Sequence, residues 1–142
     1  PFGVGLDLCH EEHLASLREQ VEECLDHAPL FFNVHSGYDN WSPAEAEDFY
    51  GEALHLEQKI GLPFSHETHR SRYFCTPWQT KFILDRYPTL RLTCDFSHWV
   101  CVCERLLPDL HDVLAQAARH AWLSERHATE SGKKLAQGAH RQ

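Results

Sequence analysis

One plan recurs along this chain at an interval of about 30 residues: a short apolar run, a polar residue at its end, then a longer amphipathic stretch. The runs "PLFFNVHSG", "LPFSHETHR" and "TLRLTCD" begin near residues 30, 62 and 90, and this interval is the length of one strand, one helix and two loops. Repetition of that unit predicts α/β organisation with a parallel sheet, because parallel neighbours need a crossover long enough to hold a helix.

The intervening stretches carry helix signals of their own. Leu14, Leu17, Val21, Cys24 and Leu25 fall at helical spacing over residues 10 to 27, after a strand-like "FGVGLDL". "SPAE" reads as a helix start, with Ser42 as cap, Pro43 in the first turn and Glu45 as the third residue of a capping box. Ala46, Phe49, Tyr50, Ala53, Leu54 and Ile60 give that helix a core face, and Gly61 with Pro63 closes it. "TPWQ" repeats the cap with Thr76, Pro77 and Gln79, and Phe82, Ile83 and Tyr87 continue to Pro88. Leu106, Leu107, Leu110, Val113, Leu114 and Ala117 predict a further helix over residues 104 to 118, with Pro108 in its first turn. Either an open doubly wound sheet or a (β/α)8 barrel fits the repeat. No G-x-G-x-x-G or G-x-x-x-x-G-K-[ST] loop is present, which disfavours the common nucleotide folds.

Composition narrows the function classes. The chain has 142 residues and a formal charge of −8, so a surface built to displace counterions from nucleic acid is not expected. No apolar run approaches the roughly 18 residues needed to span a bilayer, and the first residues lack the pattern of a signal peptide. The six cysteines, without any C-x-x-C pair, read as reduced thiols, so a cytoplasmic protein is expected. Most of the twelve histidines lie in polar, helix-like surroundings such as those of His111 and His127, and are expected at the solvated surface.

Three successive strands end in His35, in Glu67, and in Asp95 with His98. Strand ends of parallel α/β folds share one face, which in barrels holds the active site. Donors remote in sequence are thereby expected to converge there on a divalent ion such as Zn2+, Mn2+, Co2+ or Mg2+. Singly, each has a plainer role: a loop histidine, a solvated strand end, a cap on the following turn. Use of the same position in three consecutive units favours a functional site. Trp41, Trp78 and Trp99 follow these positions, where they either wall a pocket or pack on the rim.

The stretches "NVHSGYDNWS", "SHETHRSRYFCTPW" and "LRLTCDFSHWVCVCERLL" resemble the xylose-isomerase-like barrel superfamily, specifically its sugar phosphate isomerases and epimerases, over about residues 28 to 118. The resemblance implies that Glu67 binds metal and exchanges protons, that Asp95 binds metal, and that His98 and His35 either bind metal or meet substrate. It assigns catalysis to Glu67 and His98, and substrate contacts to His35, His69, Arg70 and Trp99. The implied reaction is metal-dependent isomerisation or epimerisation of a sugar or sugar phosphate. The alternatives are a metal-dependent hydrolase of the apurinic-endonuclease type and a non-catalytic ligand-binding α/β module.

The superfamily's later strands carry a further metal-binding histidine and a final glutamate, and the tail "ARHAWLSERHATESGKKLAQGAHRQ" shows neither motif, with "AWL" its one strand-like run. A complete barrel needs about 250 residues and eight strands. The expectation is therefore a partial barrel of three to four consecutive units over residues 1 to 118, then a helix extension and a polar, mobile tail over residues 119 to 142. The absence of an initial Met makes a cut N-terminus the expectation, and the barrel is expected to be a fragment or to be completed by another chain.

Overall fold

The computed structural model describes residues 9 to 122, so the expected strand at residues 2 to 8 and residues 123 to 142 of the expected tail lie outside the described residues. The chain runs α1 (His10–Leu25), β1 (Phe32–Val34), α2 (Pro43–Ile60), β2 (Phe64–Glu67), α3 (Pro77–Arg86), β3 (Arg91–Thr93), α4 (Ser97–Cys103) and α5 (His111–His120). Short 3-10 turns at Tyr73–Cys75 and Pro108–Leu110 precede α3 and α5. The three strands are parallel and lie in chain order, β1 beside β2 beside β3. This is the α/β alternation that the 30-residue repeat predicts.

Local chemistry sets the ends of α2. Ser42 Oγ accepts the Glu45 backbone N–H at 3.2 Å, and the Glu45 carboxylate accepts the Ser42 N–H at 2.8 Å. Two amides that a helix start leaves unpaired are thus satisfied reciprocally. At the other end Gly61 adopts φ 75° and its N–H bonds to the Glu57 carbonyl at 2.9 Å, a left-handed cap that glycine takes without steric cost. α3 starts similarly, with Thr76 Oγ1 accepting the Gln79 N–H at 3.3 Å.

Side chains alternate across the strands. Phe32, Val34, Phe64, His66 and Leu92 point to one face and are buried, under a helical layer in which α1 packs on α2, α2 on α3 and α3 on α5. Tyr50 of α2 stacks on Phe74 with ring centroids 4.6 Å apart and meets His66 edge-on at 5.2 Å. Burial of each such ring contributes about 1.5–3 kcal/mol. The other face carries Asn33, Ser65, Glu67, Arg91 and Thr93 and is polar. Near the start of β2 and β3, the Glu57 carboxylate accepts the Phe64 N–H at 3.0 Å and pairs with Arg91.

Two parts depart from expectation. The helix predicted over residues 104 to 118 is interrupted: Glu104 is left-handed at φ 53°, Pro108 opens a 3-10 turn, and α5 starts only at His111. A separate helix, α4, stands at Ser97–Cys103, where no helix was expected. It is anchored by Trp99, which is fully buried and donates its indole N–H to the Phe74 carbonyl at 3.0 Å. After α5 the backbone extends, Ala121 forms a parallel bridge to Leu92, and the Trp122 N–H bonds to the Leu92 carbonyl at 2.9 Å. Ala121 and Trp122 therefore pair on the edge of β3 away from β2. Among the described residues the sheet does not close, and no helix is long and apolar enough to cross a membrane.

Candidate metal centre

β2 delivers Glu67 as its last residue, and the next two residues build the site. Thr68 is fully buried. Its Oγ1 accepts the Asp95 N–H at 2.7 Å and donates to the Asp95 carbonyl at 3.0 Å, while its own N–H bonds to the Thr93 carbonyl at 3.0 Å. The segments leaving β2 and β3 are thereby stapled together. With Thr68 turned inward, the period of two along extended chain turns Glu67 and His69 to the same side.

His69 lies between two other imidazoles. Its ring centroid is 4.7 Å from that of His35, which follows β1, and 4.0 Å from that of His98, in the first turn of α4. His69 Nδ1 is 2.6 Å from the Arg70 carbonyl oxygen. A carbonyl only accepts, so Nδ1 carries a proton, and in the neutral imidazole this leaves the lone pair on Nε2, the tautomer a metal ligand needs. Glu67, His69 and His98 each offer a ligand atom within 4.8 Å of the others.

The neighbours orient Glu67 and tune His98. Glu67 Oε2 accepts from Asn33 Nδ2 and from His35 Nε2, both at 2.8 Å. Burial and the adjacent His69 push the His98 pKa below its ordinary value, against the opposing pull of Asp95, so His98 is neutral at pH 7. Asp95 Oδ1 accepts from the Ser97 hydroxyl at 2.6 Å and from the Ser97 N–H at 3.1 Å, which holds its carboxyl below the usual range. This is the capping role open to Asp95 from its sequence position; its Oδ2 stands 3.7 Å from His98 Nε2.

Of the residues singled out from the sequence, Glu67 and His98 thus meet, together with His69, for which the resemblance implies a substrate contact. His35 bonds to Glu67 and stacks on His69, and Asp95 lies beside His98. Arg70 is exposed at the rim, and its charge contributes to lowering the His98 pKa. Trp99 and Trp41 pack in the core, whereas Trp78 is exposed on α3. Sequence reading passed over Asn33 and Thr68. The period of two after Glu67 is the one sequence signal that sets His69 beside it as a candidate ligand.

Two further histidines are exceptions to the solvated surface expected for most. His66 is buried with Nδ1 2.7 Å from Ser36 Oγ, and burial pushes its pKa down to about 3. His13 is buried among Tyr38, Trp41 and Phe49, accepts the Gly37 N–H at 3.1 Å, and is pushed down to about 4 by burial and by Arg72. Gly37 is required at that turn: its φ is 73°, and a Cβ there would lie 2.7 Å from Tyr73 Cβ.

Two imidazoles and one carboxylate form a mixed nitrogen and oxygen set that suits Zn2+, Co2+ or Mn2+. Neutral His98, the His69 tautomer and the ionised form of Glu67 all present lone pairs, so the residues fit such an ion. No protein family, curated protein or solved structure matches the chain.

Proposed function

We propose that this chain binds a divalent cation through Glu67, His69 and His98 and belongs to a metal-dependent isomerase or epimerase acting on a sugar or sugar phosphate. The observation that carries this reading is the convergence of three ligand-type side chains at the carboxyl ends of parallel strands, the edge where α/β enzymes place their chemistry. Chain-order pairing with a single helical layer supports a xylose-isomerase-like (β/α)8 barrel, of which the described residues would form consecutive units. A bound cation supplies polarisation of the adjacent carbonyl and hydroxyl oxygens of a sugar. Glu67, fixed by Asn33 and His35, presents a carboxylate in one orientation. Arg70, exposed beside the cluster, offers a guanidinium fork to a hydroxyl or phosphate of the substrate. Carbohydrate is the proposed partner in preference to nucleic acid, because a net charge of −8 repels a polyanion.

The two-imidazole, one-carboxylate set also favours a second reading, a hydrolase that activates water. Turnover separates the two. Purified protein supplied in turn with Mn2+, Co2+, Mg2+ and Zn2+ is assayed against a panel of ketoses, aldoses and their phosphates, with an abasic-site DNA duplex as the hydrolytic control. The isomerase reading predicts metal-dependent interconversion of at least one sugar, lost in Glu67→Gln. Metal-dependent cleavage of the duplex with no sugar converted would contradict it in favour of the hydrolase.

A further inference from the structure

We infer that Asn33 is a positioning residue that fixes the Glu67 carboxylate for cation binding, and that His35 assists from the same side rather than acting as a ligand. The inference rests on the metal reading of this site. Asn33 stands mid-strand on the polar face of β1, 34 residues from Glu67 in sequence, in a position where a solvated side chain is the ordinary reading.

A directional chain of hydrogen bonds crosses the three strands. Ser65 Oγ of β2 and Thr93 Oγ1 of β3 are 2.7 Å apart, and Thr93 Oγ1 donates to Asn33 Oδ1 at 2.8 Å. With its one hydrogen given to Asn33, the Thr93 hydroxyl accepts from Ser65. Holding Oδ1 toward Thr93 turns the Asn33 amide group toward Glu67, where Nδ2 donates to Oε2 at 2.8 Å. The same oxygen meets His35 Nε2 at 2.8 Å. An ionised carboxylate has no hydrogen to give, so Nε2 of His35 is the donor and carries its proton. Two donors on Oε2 lock the carboxylate's rotation. Oε1, which accepts no hydrogen bond among the described residues, is left to a cation shared with His69 and His98.

Partners one step removed from a metal orient its ligands and commonly change affinity by about 10–100-fold when removed. Asn33→Ala leaves Oε2 with His35 alone and frees the carboxylate to rotate. Thr93→Val keeps the shape of residue 93 but removes the hydroxyl that orients the Asn33 amide.

The test titrates Co2+ into wild type, Asn33→Ala, Thr93→Val and Glu67→Gln, following the visible absorption of bound Co2+, whose position and intensity report ligand geometry, with melting of the metal-free proteins as the check on folding. Asn33→Ala is expected to weaken Co2+ binding by about tenfold or more and to shift the visible bands, while metal-free melting changes little. Thr93→Val is expected to shift the bands in the same direction with a smaller loss of affinity. Wild-type affinity and bands in Asn33→Ala would overturn the inference; should that variant fail to fold, unshifted bands in Thr93→Val would overturn it. If wild type binds Co2+ and only Glu67→Gln loses it, the role of Asn33 falls and the metal reading stands. Absence of Co2+ binding by wild type would overturn both.

Discussion

His13 and His66 are buried, and that fixes how the fold answers to acid. Both are neutral in the folded chain, with pKa values near 4 and 3 against an ordinary 6.5. Above pH 6.5 neither state binds the protons, and the stability associated with these residues is fully present. Below it the unfolded chain takes up protons that the folded chain refuses, so stability falls with pH until the folded values are reached. Each histidine contributes a slope of up to about 1.4 kcal/mol per pH unit. The urea midpoint is accordingly expected to fall steeply between pH 7 and pH 5, with the His66 imidazole resonances staying in their neutral form; a flat midpoint over that range would contradict the assignment. Both burials fall in phase with their elements, His13 four residues before Leu17 on the buried face of its helix and His66 two residues after Phe64 in its strand, and the packing of Tyr50, Phe49 and Trp41 around them fixes their place.

At the scale of elements, the staple between the segments after β2 and β3 holds the proposed ligands in register. Thr68→Val preserves shape but strips both hydrogen bonds from the Asp95 backbone, leaving buried polar groups unsatisfied at a cost of about 1–3 kcal/mol. The variant is expected to lower the urea midpoint by that amount and to weaken cation binding through displaced His69; unchanged stability would contradict the staple. The sequence revealed those elements whose ends are set by their own residues. Ser42, Pro43 and Glu45 announce α2 and Gly61 closes it, because capping is a contact among near neighbours. α4 was not legible, since Asp95 bonding to Ser97 and Trp99 reaching Phe74 decide the turn, and the second of these spans 25 residues. The interruption at Glu104 was masked by leucines that keep helical spacing across a non-helical backbone.

For the whole molecule, the winding is what brings distant residues together. Parallel strands paired in chain order, with helices over one face, bring the ends of β1, β2 and β3 to one edge and leave a polar face of Asn33, Ser65, Glu67, Arg91 and Thr93 on the other side. The spacing of apolar runs predicted that convergence, and Glu67 and His98 follow from it. The proposed ligand role of His69 and the proposed support from Asn33 depend on tilt and stagger between strands, which no periodicity encodes. The central claim is that this edge binds a divalent cation. Calorimetric titration of Zn2+, Co2+ and Mn2+ into wild type, Glu67→Gln and His69→Ala tests it most directly. The account predicts one ion bound per chain, with affinity reduced at least about tenfold in each variant; wild-type affinity in both variants, or no binding by any of the three proteins, would contradict it.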